Sequence, residues 1–376
     1  MSHLFAGIQC GKFACEGKPK CLMHHPGDPL PKKTHPPSHP SPFKKMENRR
    51  IFTTPKRNAS PSPVLNDERV ITGLSNPNNY CFLNAAIQIL ANLPGVTKNL
   101  IDSSTEYNEY QSNKGMFTNV IGHVLKKMTS GKYTTLSLDE LMMMIAVEDQ
   151  KFKGHQQQDA HEVLMMLIDK LQEEKMTNIE NTIYGSMVST LKCNVCPRES
   201  VQTDKFNCLV IDIPPSCDKR KVYNLEECVE FSLNKEVEGP CKGCGTTKLA
   251  SKTEAILEEP NILIVQLKRF NDDGSKDTRY VNFPVSWKEK RRTLIGVIEH
   301  TQFDQQKNTG HYTAKCHISD RERWYHMNDH SVNQLEGKIQ TDKAYVLVYA
   351  KDEGKDFTNI EIGDSTNKID LNPDFR

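Results

Sequence analysis

Residues 73–90 of this chain read GLSNPNNYCFLNAAIQIL, a turn-rich loop that passes directly into an amphipathic run. From position 81 the apolar residues recur at helical spacing and form one continuous face, until a Pro-Gly pair at 94–95 ends the run. The sequence therefore predicts a helix over 81–93 that begins at Cys81. Its apolar face consists of Leu83, Ala86, Ile87, Leu90 and Leu93.

A cysteine at the first position of a helix is suited to nucleophilic catalysis. The free N–H groups and the partial positive charge of a helix N-terminus favour the thiolate and can also hold an oxyanion. Asn76, five residues before Cys81, offers a side-chain N–H to the same oxyanion. Alone, this pattern leaves the question open, because a cysteine at a helix start is more often structural.

Helical patterns continue beyond this helix and then give way to strands. Residues 137–140 have the form of a capping box in front of LMMMIA, whose three methionines we interpret as core filler, and 158–171 is helical in pattern. After about residue 183, short β-branched and aromatic segments predict strands. These segments are 206–213, 261–270, 311–316 and 343–349. Helices followed by a mostly antiparallel sheet predict an α+β fold.

The composition excludes several classes of protein. Lys plus Arg (49) and Asp plus Glu (48) nearly cancel in the 376 residues, so nothing indicates a nucleic-acid-binding protein. No run of about 18 apolar residues predicts a membrane span, and the first residues do not resemble a secretory signal. In such a chain the twelve cysteines are expected to be thiols, metal ligands or nucleophiles. We expect a cytoplasmic and/or nuclear protein.

Both ends of the chain are polar. Residues 1–68 are rich in Pro, Lys, Ser and His and have too few apolar residues for a core, so we expect a disordered tail. The cysteines and histidines near its start match no ligand spacing that we can defend. The predicted catalytic domain covers 69–351, and 352–376 is expected to be a second polar tail.

A second candidate catalytic group lies far from Cys81 in sequence. His311 begins a predicted strand, a turn follows at 319–321, and a returning strand over 324–327 leads to Asn328 and Asp329. Such a hairpin brings Asn328 beside the imidazole, and a base that is oriented by a third polar group is the general arrangement of a catalytic triad.

Four cysteines form two identical pairs, Cys193-x-x-Cys196 and Cys241-x-x-Cys244. Four thiolates make a closed tetrahedral zinc site, and the long interval between the pairs suits a site that joins two hairpin tips. We therefore expect structural zinc in preference to unpaired thiols, and a disulfide is the poorer interpretation.

The chain resembles the ubiquitin-specific proteases over about residues 71–350. Five blocks occur in the order of that family: 73–76 (GLSN) with 81–85 (CFLNA), Gln88 and Leu90; 157–162 (QQDAHE); 266–270 (QLKRF); 310–314 (GHYTA) with 324–325 (WY) and 328–329 (ND); and 344–349 (AYVLVY). One block would be weak evidence, whereas five in sequence are strong.

The resemblance implies a papain-like ubiquitin-specific protease fold with a helical thumb (about 71–182), then a β-rich palm and zinc-bearing β fingers (about 183–351). It implies a deubiquitinase in which Cys81 attacks the carbonyl of the last glycine of ubiquitin and forms an acyl-enzyme, with His311 as acid and base. Asn328 takes the position of the third residue, and Asp329 shares its role. Asp159 is expected to pair with an arginine of the ubiquitin tail, and Glu162 and Tyr312 to line the same channel. We expect ubiquitin and ubiquitinated proteins as partners, no nucleic acid or membrane, and a monomeric catalytic domain.

The sequence departs from the family in the loop before Cys81. Asn78 replaces a usual glycine, and we expect it to keep a positive φ. Pro77 and Tyr80 also replace the usual residues. This loop leaves an alternative open, a catalytically weak ubiquitin-binding scaffold with the same fold. Another papain-like peptidase, which cleaves unfolded peptides, is a third hypothesis.

Overall fold

The computed structural model describes residues 71–352 apart from 105–114, 155, 176–177, 217, 219, 248, 272–274, 303–309 and 320. Apart from residue 352, both predicted tails lie outside the described residues. So do the cysteines and histidines near the start of the chain.

The first part of the described chain is helical, as predicted, and we call it the thumb (71–183). Its helices are α1 (Cys81–Ala91), α2 (Val96–Ser103), α3 (Met116–Thr129), α4 (Asp139–Glu148), α5 (Ala160–Glu174) and α6 (Ile179–Ile183). Two short strands, β1 (Gly73–Leu74) and β2 (Thr135–Leu136), pair in parallel beside α1. A 3-10 turn at Gln150–Phe152 leads towards α5.

The palm is an eight-stranded sheet, mostly antiparallel, that follows the thumb. Its strands are β5 (Leu209–Asp212), β9 (Ile262–Lys268), β11 (Ser286–Trp287), β12 (Arg292–Gln302), β13 (Gly310–Ile318), β14 (Arg323–Asn328), β15 (Ser331–Gln334) and β16 (Ala344–Lys351). The order across the sheet is β15-β14-β13-β12-β16-β9-β5, with β11 paired to β12. Only the β5–β9 pairing of this sheet is parallel among the described residues. A 3-10 turn at Lys288–Lys290 links β11 to β12.

The fingers form a second sheet of four strands. They are β3 (Gly185–Cys193), β4 (Glu199–Phe206), β7 (Asn234–Glu238) and β8 (Leu249–Glu258), in the order β4-β3-β8-β7. Helix α7 (Leu225–Leu233) lies between β5 of the palm and β7 of the fingers in sequence. Just before it, β6 (Tyr223–Asn224) pairs in parallel with β10 (Val281–Asn282), which follows β9. The predicted order of helices first and antiparallel strands second is confirmed.

Two hydrophobic clusters cover the two faces of the palm. One joins the thumb helices to residues such as Ala314 and Val346, and α1 is buried along almost its whole length within it. The other lies on the opposite face, where Leu347 and Tyr349 pack with Phe283. Since α1 is fixed between α5 and the sheet, its first residue is held rigidly against β13.

Two details of α4 differ from the prediction. Ser137 accepts a hydrogen bond from the backbone N of Asp139 at 3.2 Å, but Leu138 is the N-cap and no capping box with Glu140 forms. The prediction that all three methionines fill the core is wrong, because Met143 is 59% exposed and only Met142 is fully buried. The helix is weakly amphipathic, so the letters alone do not reveal which methionine faces inward.

A search of the described helices finds no segment with the length and apolar character needed to cross a membrane.

Candidate active site

Cys81 occupies the first position of α1, as predicted, and is 1% exposed. A backbone hydrogen bond from Tyr312 on β13 reaches its thiol, and the backbone groups of Cys81 and Phe82 at the helix start also contribute. Tyr312 is the residue after His311, so the fold brings the two distant halves of the predicted site together. The start of α1 and the strand that carries His311 are thus in contact.

The charge state of the thiol differs from the expectation for a helix start. Burial is the main cause that raises the pKa of Cys81 to about 11, and the nearby Asp329 carboxylate acts in the same direction. The backbone hydrogen bonds from Tyr312, Phe82 and Cys81 oppose this rise without cancelling it. The helix N-terminus acts in the predicted direction, but desolvation is the larger effect. The site in this structure therefore holds a neutral thiol that needs a base.

His311 lies on β13 and is oriented by Asn328, the last residue of β14. The hairpin has the predicted form, with Ala314 opposite Met327, and it places the Oδ1 atom of Asn328 2.7 Å from Nε2 of His311. An amide oxygen accepts, so it selects the ring form with a proton on Nε2. That form leaves Nδ1 as the basic nitrogen for the thiol.

Asp329 lies farther from the imidazole, with Oδ2 3.8 Å from Nε2 of His311. Its carboxylate instead accepts two amide hydrogen bonds, from Nδ2 of Asn76 at 2.9 Å and from Nδ2 of Asn84 at 2.8 Å. The sequence left open which of the two neighbours orients His311. The geometry assigns the direct contact to Asn328 and makes Asp329 the anchor of the loop before Cys81.

The backbone around Asp329 is shaped for this contact. Asp329 has a φ of +51°, and its carbonyl accepts a hydrogen bond of 2.8 Å from the backbone N of Leu74. A Cβ on Gly73 would lie 2.3 Å from the carbonyl oxygen of His330, so only glycine allows this approach. The close packing of these two backbone segments explains why a glycine stands at position 73, the first residue of the GLSN block.

Asn84 is a site residue to which the sequence analysis assigned no role. It lies on α1 three residues after Cys81, is 2% exposed, and also donates to the carbonyl of Ser75 at 3.2 Å. The sequence did offer one sign of this role, a polar asparagine among the apolar residues of the first helical turns, because a buried amide needs hydrogen-bond partners.

In the loop before Cys81, the residue with a positive φ is not the one that was expected. The positive φ (+60°) belongs to Asn79, and the prediction that Asn78 adopts it is wrong. Asn78 donates to the hydroxyl of Tyr80 at 3.4 Å, while the backbone N of Tyr80 donates to Oδ1 of Asn76. The amide of Asn76 is thus fixed at both ends, with its Nδ2 beside the start of α1.

A cleft of about 400 Å³ lies between thumb and palm and contains the predicted channel residues. Asp159, Glu162 and Tyr312 all line it, together with residues from β9, β12 and β16. The additional lining side chains are Gln157, Gln158, Gln266, Lys268, Arg269, Phe270, Asn271, His300, Gln302 and Tyr345.

Both acidic residues of the cleft have partners within the chain. Asp159 is the N-cap of α5 and accepts the hydroxyl hydrogen bond of Tyr345 through Oδ2 at 2.5 Å. Glu162 pairs with Lys151, which also contacts Asp149 at 3.1 Å. Capping fixes the carboxylate of Asp159 in place, whereas Glu162 is held by an exposed ion pair that can exchange.

Gln157 joins thumb to palm at the residue before His311. Its Oε1 accepts from the backbone N of Gly310 at 2.8 Å and its Nε2 donates to the carbonyl of Gly310. This two-point contact was not predicted, since glutamine in a polar run carries no sequence signal for it.

The four predicted metal ligands lie together at the tips of the finger hairpins. Their sulfur atoms are all within 4.8 Å of one another, with Cys193 and Cys244 3.9 Å apart and Cys196 and Cys241 3.7 Å apart. Backbone N–H groups of Val195 and Gly243 point at two of the sulfurs. The cluster can hold one metal ion.

A thiol at the start of a buried helix, next to a histidine that an amide orients, defines the papain-like cysteine hydrolases as a class. Within that class the chain belongs to the ubiquitin carboxyl-terminal hydrolase family, whose model matches residues 72–349.

Relatives and solved structures agree with this assignment. Ubiquitin carboxyl-terminal hydrolase Usp2 of Drosophila melanogaster is 25% identical over 331 residues, which are 75% of this chain and 35% of that protein. Ubiquitin carboxyl-terminal hydrolase 8 of Saccharomyces cerevisiae is 25% identical over 340 residues, 74% of this chain and 70% of that protein. The structure of the SAGA Ubp8/Sgf11/Sus1/Sgf73 DUB module bound to ubiquitin aldehyde has the same fold, with a TM-score of 0.60, 23% identity and coverage of 77% of this chain and 71% of that chain.

Proposed function

We propose that this chain is a deubiquitinating thiol hydrolase that cleaves the peptide or isopeptide bond after the C-terminal glycine of ubiquitin. The observation that carries the proposal is that Cys81 and the His311–Asn328 pair lie on either side of Tyr312, which lines the thumb–palm cleft, in a chain of the ubiquitin carboxyl-terminal hydrolase family. The fly relative is about three times as long as the matched region, so the activity of the whole protein is part of the proposal.

The catalytic sequence follows from the protonation states of the site. Nδ1 of His311 removes the proton of the Cys81 thiol as the sulfur attacks the glycine carbonyl carbon, because the buried thiol is neutral before attack. The imidazolium then protonates the departing amine and the acyl-enzyme remains. Water attacks this thioester with His311 as base, ubiquitin leaves as the carboxylate, and the proton returns to the thiolate.

The oxyanion that forms in both steps needs donors at the start of α1. The backbone N–H of Cys81 and the Nδ2 group of Asn76 lie at that end of the helix, and Asp329 uses one of the two N–H bonds of Asn76 to hold it. The second N–H of Asn76 is then the donor for the oxyanion. A fixed donor stabilises developing charge without reorganisation, which is the source of its catalytic effect.

The cleft suits a narrow, extended and basic peptide. Asp159 is fixed by its capping bonds and can pair with an arginine of the ubiquitin tail, while Glu162 can exchange Lys151 for a second cation. Tyr312, 5% exposed, forms the floor of the channel beside Cys81. This combination favours ubiquitin conjugates over unfolded peptides of mixed sequence.

An electrophilic ubiquitin probe tests the activity directly. A ubiquitin with a reactive group at its C-terminus should label wild-type chain at one site, and Cys81→Ala should abolish labelling and lower turnover of diubiquitin by at least about 10⁴-fold. Cys228→Ala, which changes a buried thiol of helix α7, serves as the matched control and should still label.

The same experiment distinguishes the alternative. A wild-type chain that binds ubiquitin but neither labels nor cleaves diubiquitin is the catalytically weak scaffold. Cleavage of unfolded peptides without preference for ubiquitin conjugates would instead identify a general papain-like peptidase.

We also propose that the four-cysteine cluster holds structural zinc. Tetrahedral Zn–S bonds of about 2.3 Å separate neighbouring sulfurs by roughly 3.8 Å, which agrees with the 3.7 and 3.9 Å separations of the two sulfur pairs. Metal analysis of the purified chain should find about one zinc ion per molecule, and Cys193→Ser should release it. A zinc-free but folded wild-type protein would refute this part of the proposal.

A further inference from the structure

A pair of basic residues, half-buried Lys276 and buried His300, lies beside the strand that carries His311. Lys276 forms a β-bridge with Phe270 after β9, and His300 is 6% exposed on β12. The Nζ atom of Lys276 is 2.9 Å from Nδ1 of His300 and 2.5 Å from the His300 carbonyl oxygen. Within the part of the chain that the structure describes, the Lys276 ammonium group donates both of these hydrogen bonds to His300.

This contact determines which nitrogen of the His300 ring carries a proton. An ammonium group can only donate, so Nδ1 must offer its lone pair and the proton must be on Nε2. The ring is neutral, as this requires, because burial, the Lys276 charge and His311 lower the pKa of His300 to about 3. Lys276 therefore selects one tautomer and fixes the ring through two contacts.

The ring of His300 lies against both residues that flank His311. Its cross-strand partner is Tyr312, with ring centroids 4.6 Å apart. On the other side, a Cβ at Gly310 would lie 2.2 Å from Nε2 of His300, so the ring can lie there only because that position is glycine. The backbone on each side of His311 is thus packed against this one ring.

We propose that Lys276 is a positioning residue for the hydrolytic reaction, because it holds His300 in the Nε2–H form and thereby fixes the strand that presents His311 to Cys81. The inference rests on the proposed function. Lys276 itself is not among the residues that line the cleft, whereas His300 is. Its effect is therefore expected in the alignment of the base and much less in ubiquitin affinity.

Charged groups around Lys276 give the effect a pH dependence. Burial and the charge of Arg269 lower the pKa of Lys276 to about 8, Asp342 opposes this, and Lys343 adds to it. These groups come from the end of β9 and from the loop before β16, and His300 on β12 and His311 on β13 complete the set. Above about pH 8 the neutral amine can accept as well as donate, so the Nδ1–H form of His300 becomes accessible.

Kinetics with two substitutions test the positioning role. Lys276→Met should lower kcat for ubiquitin with a fluorescent leaving group about tenfold and change KM by less than about threefold. Lys276→Arg keeps a permanent donor, should restore most of kcat, and should move the alkaline decline of kcat to higher pH. Lys288→Met, at an exposed lysine, is the matched control. A Lys276→Met enzyme with kcat within twofold of wild type, or with only KM changed, would overturn the proposal.

Nitrogen NMR of the histidine rings gives a readout that does not need ubiquitin. In full-length chain labelled with 15N-histidine, the His300 signal, identified by its loss in His300→Gln, should show the Nε2–H tautomer in wild type and in Lys276→Arg. It should shift towards the other tautomer in Lys276→Met. An unchanged tautomer in Lys276→Met contradicts the inference even if the enzyme is slow. A wild-type chain that shows the expected tautomers but hydrolyses no ubiquitin conjugate contradicts the proposed function instead.

Discussion

The catalytic cleft and the fingers of this molecule are stabilised by different means. Around the cleft, helix α1 is buried between other helices and the palm, and two hydrophobic clusters cover both faces of the sheet. Much of the described finger sheet is open to solvent: seven of the eight residues of β4 are exposed, and so are apolar side chains such as Val201 (60%) and Leu257 (56%).

The difference shows what each region requires of its sequence. A close-packed core fixes atoms to within fractions of an ångström, which acid–base chemistry needs. A single exposed sheet buries too little apolar area to fix its own tips. The four cysteines at that point can bind one ion, and a bound ion would cross-link the tips. Substitutions that disturb the alignment of Cys81 and His311 should therefore change kcat, and substitutions in the fingers should change binding and local stability.

Among changes that leave the nucleophile in place, the largest effect should come from Asp329, which anchors the loop before Cys81. Asp329→Ala removes the acceptor of both Asn76 and Asn84, so we expect kcat to fall by about 10²- to 10³-fold with little change in KM. Asp329→Asn retains one acceptor oxygen, so its kcat should lie between those of the wild type and Asp329→Ala. Hydrolysis of ubiquitin with a fluorescent leaving group measures both constants. If Asp329→Ala lost affinity and kept kcat, the proposed division between cleft and fingers would be broken.

The charge state of Cys81 should produce the next largest effect. Because burial raises its pKa to about 11, the thiolate fraction and hence alkylation by iodoacetamide should increase about tenfold per pH unit between pH 7 and 9. Mass spectrometry of the peptide that contains Cys81 measures this rate. A rate that is high at pH 7 and independent of pH would instead indicate a preformed thiolate–imidazolium pair.

Metal removal should affect the fingers more than the cleft. A chelator that strips the four-cysteine cluster is expected to raise KM for ubiquitin about tenfold and to change kcat by less than about threefold. Limited proteolysis should then cut first near 193–196 or 241–244. Cys228→Ala, outside the cluster, should leave metal content unchanged. Equal loss of kcat in the stripped enzyme would show that the metal also supports the cleft.

The smallest effect should come from Tyr345→Phe. It removes the hydroxyl that donates to Asp159 and accepts from Nε2 of Gln266 at 2.7 Å, and each such hydrogen bond is worth about 1 kcal/mol. The capping bonds of Asp159 remain. We expect KM to rise about two- to fivefold at unchanged kcat. Steady-state kinetics at several ubiquitin concentrations resolve this difference, and a change in kcat alone would place Tyr345 in the alignment of the catalytic groups.

Contacts that depend on local sequence were predictable. The helix at Cys81, the hairpin that brings Asn328 to His311, and the pairing of the two Cys-x-x-Cys motifs follow from periodicity, turn residues and ligand spacing. The meeting of α1 with β13 was reached through family resemblance, since periodicity carries no information on which sheet face a helix covers. The α+β order, which is confirmed, was likewise predicted partly from local sequence patterns and partly from the family resemblance.

Contacts that depend on packing were not predictable. Burial is the largest influence on the pKa of Cys81, and it depends on residues distant in sequence. The neighbouring sequence reveals only the helix N-terminus, which acts in the opposite direction and lowers this pKa. The role of Asn84 and the clasp of Gln157 on Gly310 arise from neighbours distant in sequence. Positive φ fell on Asn79 where Asn78 was expected, because two adjacent asparagines tolerate it equally and the bonds of Asn76 and Tyr80 decide between them.

The position of β16 has a consequence for how the protein is made. It is the last of the described strands along the chain, yet it lies inside the palm between β12 and β9. Before residues 344–351 have left the ribosome, the palm lacks its central strand and consists of two separate parts with unpaired edges. The nucleophile Cys81 and the base His311 have already been synthesised at that stage. The nascent polypeptide should therefore depend on chaperones until β16 has emerged, and it should become an active hydrolase only after that strand has joined the sheet.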